Sequence, residues 1–249
     1  MYLNLDFITL LLNNYFHFEG GSFPYSISSD KGYELIDHAY DLLQYEEELY
    51  RSDIIANLRK AVNYRVSDLR NCFGLDKLKF NKLKSDQKLE KLQELGVVKS
   101  LLIKKLLTIR NGIEYCANTP PIKEECEELI DIVWYFYKST DRYCEFYPES
   151  LLVEWGEERE FNFIFDFDFK EHKTIKFFGR LPDGCITEQK KYEYSLPIIN
   201  TIIKDCTDTD KNLGAKLYHM YYEGEINVAN IHDYIELLSI VLCAWGSMS

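Results

Sequence analysis

Glycine and proline are scarce in this sequence, which has 12 Gly and 6 Pro among 249 residues. Long disordered or low-complexity tracts are usually rich in these residues, so the composition excludes them over most of the chain. No glycine-rich loop has the spacing needed to cradle nucleotide phosphates, and no serine lies in a nucleophile elbow. Because 46% of the residues are hydrophobic, the chain can bury a sizeable core.

Paired cysteine motifs are also lacking. The seven cysteines are scattered with no CxxC or CxxH spacing, so the sequence predicts no structural zinc site and no disulfide framework. The opening stretch "MYLNLDFITLLLNNYF" has no basic segment, and its apolar run, residues 7–12, is too short to span a bilayer. We therefore expect a cytoplasmic protein with reduced thiols and no membrane partner, and we interpret the opening stretch as a core strand or a short helix.

Positively charged residues are fewer than negatively charged ones. The chain has 29 Lys and Arg and 41 Asp and Glu, which gives a formal net charge of -12. Such a chain repels nucleic-acid phosphate at long range, which disfavours general RNA or DNA binding. A local cluster of lysines in residues 77–105 leaves a basic patch open as an alternative, although a solvated helix face explains it as well.

Apolar residues with helical spacing predict four helices in the first part of the chain. The first begins near Tyr33 and carries a stripe that includes Leu49. The second has Ser52 as its expected N-cap. The third covers residues 87–113 with Leu101 turned inward, and the fourth has Thr119 as its cap and Pro120 at its first position. Together these helices predict an antiparallel bundle.

The pattern changes near residue 147. In residues 161–169 every second residue is Phe, which is a strong strand signal, and a hairpin loop is expected to lead into a second strand at residues 175–178. Helical segments are expected near residues 197–205, 211–222 and 228–245. The predicted fold is mainly α, with a helical domain at residues 1–146 followed by a smaller α+β domain with an antiparallel hairpin or sheet at residues 147–249.

Two stretches carry a resemblance to a known family. "AYDLLQYEEELYRSDIIANLRKAVNYRVSDL", residues 39–69, is similar to the opening helix pair of the HEPN family, and "LLIKKLLTIRNGIEYCANTPPIKEECEELIDIVWYFYK", residues 101–138, to the later pair that carries an Arg-Asn motif. HEPN proteins are helical bundles of prokaryotic defence and toxin-antitoxin systems. The resemblance implies a homodimer, RNA cleavage without metal or cofactor, and a site at Arg110 and Asn111, with Tyr115 where cleaving members have His.

Tyrosine changes the chemistry expected at that site. A general base works best when its pKa lies near the working pH, which histidine satisfies at about 6.5 and tyrosine, at about 10, does not. At neutral pH roughly one unperturbed tyrosine in a thousand is ionised, an unfavourable contribution of about 4 kcal/mol. The stretch could also be purely structural, with Arg110 paired to Glu114 and Tyr115 packed under the next helix.

Three functions follow from these observations. The favoured one is a non-catalytic HEPN-like module that binds a partner protein or RNA. The first alternative is a metal-independent endoribonuclease that uses Arg110, Asn111 and Tyr115. The second is a metal-dependent enzyme at Asp166 and Asp168, whose carboxylates share one strand face, although a water-facing side of a sheet explains that pair equally.

Overall fold

The structure is a computed structural model. It describes residues 1–4, 21–22, 29–75, 85–99, 101, 104–105, 121–145, 147–148, 150–155, 161–166, 175–181, 185–189, 195–205, 220–226, 235 and 238–239. Within these residues the chain combines α-helices in its first part with an antiparallel sheet, so it is a mixed α and β protein. None of the described helices has the length and apolar character needed to cross a membrane.

The chain divides into two compact units. Residues Phe23–Tyr147 form one, here called the helical unit, while Met1–Ser22 and Pro148–Ser249 together form the other, here called the sheet unit. The helical unit is therefore an insertion within the sheet unit. The sequence assigns residues 1–146 to one domain, and the structure differs from this at the N-terminus, because the first strand pairs with strands more than 180 residues later.

In the described part of the helical unit there are four helices: α1 (Ser29–Leu42), α2 (Glu48–Cys72), α3 (Ser85–Glu94) and α4 (Lys123–Glu145). Helix α1 packs on α2, and α4 packs on both. Their buried faces follow the apolar spacing of the sequence; on α2 they include Ile54, Leu58, Ala61 and Leu69. The aliphatic stripes thus bury one side of each of these three helices.

Local chemistry sets where the helices end. Gly74 and Gly96 both have positive φ, 63° and 73°. In each case the glycine N–H and the next N–H donate back into the last helical turn, at 2.9–3.1 Å, which is the pattern of a Schellman motif. The first motif ends α2 at Cys72. The second interrupts the helix predicted over residues 87–113, so that prediction is wrong at Gly96.

Two predicted caps are also wrong. Ser52 lies inside α2, whose N-cap is Glu47, so the charged run before Ser52 already belongs to the helix or its cap. Helix α4 begins at Lys123, and the Ile122 N–H donates to Glu125 Oε2 at 3.1 Å, so neither Thr119 nor Pro120 starts it. Leu49 and Leu101, expected to be inward, are 72% and 71% exposed.

Nine short strands complete the described elements. They are β1 (Tyr2–Asn4), β2 (Gly21–Ser22), β3 (Tyr147–Pro148), β4 (Ser150–Trp155), β5 (Phe161–Asp166), β6 (Ile175–Arg180), β7 (Ile186–Thr187), β8 (Ser195–Asp205) and β9 (Met220–Ile226). Strands β2 and β3 pair with each other, and the other seven form one sheet in the order β4-β5-β6-β9-β8-β1-β7. Every pairing recorded within that sheet is antiparallel.

The predicted hairpin is confirmed. Strand β5 pairs with β6, and Phe165 is buried while Ile164 and Asp166, on the other face, are half-buried. The alternation of Phe with polar residues therefore marks the core side of β5, as a period of two requires.

The helices predicted at residues 197–205 and at 220–222 are wrong, because these residues lie in β8 and β9. A bulge explains the error in β8. Ile199 pairs with Glu225 but Ile202 with Glu223, and Asn200 between them has a φ of 52°. The extra residues in the bulge change the spacing of the isoleucines from a period of two to one that imitates a helix.

A close approach of three strands occurs at Gly224. It lies opposite Phe177 of β6, and a Cβ built on it would stand 3.0 Å from the Phe177 ring and 3.0 Å from Ile198 Cγ2 of β8. Phe177 has no exposed surface and Ile198 is buried, so neither side chain has space to move away.

We expect Gly224→Ala to lower the free energy of unfolding by about 1–3 kcal/mol, the usual cost of overpacking a core. Urea unfolding followed by circular dichroism would measure this. Glu223→Ala, at the neighbouring exposed position, is the control and should change stability much less. Equal stability of Gly224→Ala and the parent would contradict the close packing of β6, β8 and β9.

Candidate functional site

The residues that the sequence singles out fall largely outside the described part of the chain. Arg110, Asn111 and Tyr115 lie outside it, and so does Asp168. Asp166 is at the end of β5, directly opposite Lys176 of β6. Across the described residues, no group of three or more His, Cys, Asp and Glu side chains is placed to hold a metal ion.

The described lysines of the sequence cluster are partly neutralised. Lys91 Nζ lies 2.6 Å from Glu94 Oε2, and Lys105 forms an ion pair with Glu128 of α4. These carboxylates cancel positive charge that a phosphate would need. The described lysines therefore give little support to an RNA-binding patch here.

Among the described residues of the helical unit, one arginine is fully buried. Arg65 of α2 has no exposed surface. Its Nη2 donates to Asp141 Oδ1 of α4 at 2.7 Å, and its guanidinium carbon lies 4.1 Å from the centroid of the Tyr137 ring. A guanidinium held between a carboxylate and an aromatic face has both of its preferred partners, because it pairs with anions and stacks on rings.

A residue of helix α1 also binds Asp141. The Tyr33 hydroxyl donates to Asp141 Oδ2 at 2.6 Å, so both oxygens of the carboxylate accept hydrogen bonds. The Tyr33 ring packs edge-on against Tyr137 with centroids 5.1 Å apart. Asp141 therefore links three helices, because it lies on α4 and binds residues of α1 and α2.

A glycine, Gly32, allows α1 to lie close to Tyr137 of α4. The Tyr137 hydroxyl donates to the Ala61 carbonyl oxygen at 2.6 Å. A Cβ on Gly32 would stand 1.9 Å from that hydroxyl oxygen, which is inside any permitted contact distance. Any larger residue at position 32 would therefore displace Tyr137 from Ala61 or move α1 away from α4.

Burial and neighbouring charges oppose each other at Arg65. Burial alone would lower the pKa of Arg65, but the neighbouring Cys144, Asp141 and Tyr137 together raise it. Burial and the hydrogen bond to Asp141 raise the pKa of Tyr33, while burial raises the pKa of Tyr137. Arg65 is therefore a cation and the two tyrosines are neutral hydroxyls at any physiological pH.

Two donor nitrogens of Arg65 take no part in the hydrogen bond to Asp141. Within the described ranges, no group hydrogen-bonds to its Nε or Nη1. Burying an arginine with only one carboxylate partner lowers the stability of the fold. Each N–H group that has left water without forming a hydrogen bond in the protein contributes to this loss.

Two cysteines lie at this end of the arrangement. Cys72, the last residue of α2, and Cys144 of α4 are both buried and reduced. The neighbouring Cys72 thiol and the charge of Arg65 lower the pKa of Cys144, although burial opposes this. Cys144 and burial raise the pKa of Cys72. The pair is thus polarised, with negative charge favoured on Cys144.

Sequence reasoning did not single out these residues, although a signal was present. Arg65 falls four residues after Ala61 and four before Leu69, so it interrupts the apolar stripe of α2 with a charge. A buried charge on one helix requires an opposite charge on another. The sequence offers several carboxylates in the fourth helix, and periodicity alone does not identify Asp141 as the partner.

Comparison of the chain with protein-family models, with curated proteins and with solved structures finds no match.

We expect Arg65→Met to lower the free energy of unfolding by about 3 kcal/mol, because it leaves Asp141 without its closest cation. In a double-mutant cycle with Asp141→Asn, the double variant should be more stable than the sum of the two single losses predicts, since neither charge is then left alone. Urea unfolding measures all three variants.

The matched control is the exposed pair Lys105 and Glu128, where Lys105→Met should cost less than about 1 kcal/mol. A zero coupling energy between Arg65 and Asp141 would contradict the role given to this ion pair.

Proposed function

We propose that this chain is a HEPN-like module of a prokaryotic defence or toxin-antitoxin system that acts by binding a partner protein and does not cleave RNA. The support for the family is the order of the two sequence stretches, and helices α2 and α4 overlap residues 39–69 and 101–138 respectively. The support for a binding function is the surface of the helical unit, which exposes large apolar side chains.

The observation that carries the proposal is a set of exposed aromatic and aliphatic residues. Trp134 and Tyr135, here called the α4 outer face, are 39% and 65% exposed and pack edge-to-face with centroids 5.1 Å apart. Tyr40, Tyr45 and Leu49, here called the turn surface, are more than half exposed at the connection of α1 and α2. Aromatic residues are enriched in protein interfaces. A single exposed aromatic residue is ordinary on a protein surface, but the residues named here form two groups.

Charge favours a protein partner over RNA. The turn surface lies beside three consecutive exposed carboxylates, Glu46, Glu47 and Glu48, and the whole chain carries a formal charge of -12. RNA binding derives much of its free energy from lysine and arginine contacts to phosphate, which this surface does not offer. RNA remains the second candidate because Arg110 and Asn111 are retained.

A homodimer is the first partner to test. In the HEPN family the site is completed between two copies, and here α4 follows directly after the stretch with Arg110 and Asn111. The α4 outer face is apolar and Lys138 extends over the Trp134 ring at 5.7 Å, so the face offers both ring surface and a cation. We therefore assign the dimer contact to this face.

We expect the parent protein to leave mixed RNA intact, with or without EDTA, because Tyr115 has no usable pKa as a general base. Tyr115→His should gain EDTA-resistant cleavage if the geometry around Arg110 is retained, and adding Arg110→Ala should abolish that gain. Gel analysis of labelled RNA measures both. EDTA-resistant cleavage by the parent that disappears in Tyr115→Phe would contradict the proposal, and EDTA-sensitive cleavage would favour the site at Asp166 and Asp168.

Light scattering should show a dimer at tens of micromolar protein concentration, a range in which an interface of about −8 kcal/mol holds. The variant Trp134→Ser with Tyr135→Ser should dissociate it by removing the aromatic contact area. Tyr40→Ser with Leu49→Ser, on the turn surface, is the matched control and should remain a dimer. A monomeric parent, or dissociation by the control pair alone, would contradict the assignment to the α4 outer face.

A further inference from the structure

The turn surface combines exposed apolar side chains with a fixed backbone. The Tyr45 and Tyr50 rings lie against each other, with centroids 4.7 Å apart and planes tilted by 33°. The Tyr45 N–H donates to the Leu42 carbonyl oxygen at 3.2 Å, and the Tyr50 N–H donates to the Glu47 carbonyl oxygen at 3.1 Å. Hydrogen bonds therefore hold the connection of α1 and α2 in one conformation while the Tyr45 ring remains exposed.

The carboxylates around this surface have no cationic partner. Asp41, Glu46, Glu47 and Glu48 are all exposed. Among the described residues no ion pair includes any of them. The Arg51 guanidinium donates to the backbone oxygen of Glu46, at 3.4 Å, and so leaves the carboxylate of that residue unpaired.

The helix ends do not use these charges fully. The last turn of α1 contains Asp41 and no basic residue, although the C-terminal end of a helix dipole favours cations. Glu47 is the N-cap of α2, and its side chain makes no capping hydrogen bond. Only Glu48, in the first turn of α2, has a position that suits the dipole. Negative charge that stabilises neither helix is expected where a ligand supplies the positive charge.

We propose that the turn surface binds a segment of a partner protein that combines lysine or arginine with apolar residues. The basic side chains lie against the carboxylates and over the Tyr45 ring, because a ring face attracts cations and a guanidinium also stacks on it. The apolar side chains lie against Tyr40 and Leu49. The inference rests on the proposed binding function and adds the chemistry of the partner, and it uses no residue of the α4 outer face.

Charge favours such a segment over other ligands. Carboxylates repel nucleic-acid phosphate and anionic lipid surfaces. A metal ion needs converging ligands, and the described part of the chain places no group of three such side chains together. A second copy of this chain also carries a formal charge of -12, so its approach to an acidic surface is opposed at long range.

The experiment measures fluorescence anisotropy with the full-length protein and a fluorescein-labelled synthetic peptide of repeated Lys-Leu-Arg units. A matched peptide has Glu in place of Lys and Arg. The parent should bind the basic peptide at low ionic strength and should not bind the acidic one. Affinity should fall as salt is added, because exposed charges are screened at physiological salt, where the Debye length is about 8 Å. Equal binding of the two peptides would overturn the proposal, as would no binding of the basic one.

Charge variants test the carboxylates. The first variant replaces the three consecutive glutamates of the turn surface, and the control replaces three exposed glutamates elsewhere, so both lose the same negative charge. The two variants are Glu46→Gln, Glu47→Gln and Glu48→Gln combined, and Glu34→Gln, Glu90→Gln and Glu188→Gln combined. The first should bind the basic peptide about tenfold more weakly, and the control less than about twofold more weakly. Equal losses would overturn the proposal, because net charge alone would then explain binding.

Apolar variants separate this surface from the dimer contact. Tyr40→Ser with Leu49→Ser should lower the affinity for the basic peptide about tenfold and remain a dimer. Trp134→Ser with Tyr135→Ser should bind the peptide as the parent does, although it is monomeric. Unchanged peptide binding by the first pair would overturn the inference, and so would dissociation of the dimer by that pair, since a second copy would then occupy the turn surface.

The two proposals can fail separately. A monomeric parent that binds the basic peptide contradicts the dimer assignment alone, whereas a dimeric parent that does not bind it contradicts this inference alone. Circular dichroism checks that each variant is folded. If one is not, the comparison of the two peptides with the parent and its salt dependence decides the result.

Discussion

The buried ion pair of Arg65 and Asp141 is the interaction on which the helical unit depends. Removing a guanidinium from water costs several kcal/mol, and this cost is offset only where a carboxylate, an aromatic face and further hydrogen bonds meet it in good geometry. Asp141 supplies the charge, Tyr137 the face and Tyr33 the second hydrogen bond to the carboxylate. These groups lie on three different helices. Arg65 can therefore be buried only when α1, α2 and α4 have one fixed alignment along their axes. Apolar stripes alone would tolerate sliding by a helical turn.

The charge of Arg65 also acts beyond the ion pair. After the neighbouring Cys72, it is Arg65 that lowers the pKa of Cys144, while burial opposes the shift. A neutral residue of similar size at position 65 would remove this contribution. The arginine therefore affects a thiol of α4 as well as the carboxylate that pairs with it.

Much of the fold could be predicted from the sequence where the pattern is local. The alternation of Phe in β5 identified a strand, and the stripes of α2 and α4 identified helices. The errors occur where the local structure depends on a partner that is distant in sequence or on the backbone angle of a single residue. The bulge at Asn200 gave Ile198, Ile199, Ile202 and Ile203 a helical spacing within a strand, and Gly96 interrupted a run of residues that all favour helix. Arg65 was visible as a charge within an apolar stripe, but its partner on α4 required the three-dimensional packing. The site at Arg110, Asn111 and Tyr115 rests on resemblance, since those residues lie outside the described part of the chain.

The insertion of the helical unit within the sheet unit has a consequence during synthesis. A ribosome delivers β1 first, yet β1 occupies a place between β7 and β8, which emerge only after the entire helical unit has been made. The helical unit, being continuous in sequence, can fold as soon as it leaves the exit tunnel, whereas β1 must wait as an unpaired edge. A strand of three residues that ends at the polar Asn4 is a poor template for aggregation. The brevity of β1 thus protects the nascent chain during the interval in which its partners do not yet exist.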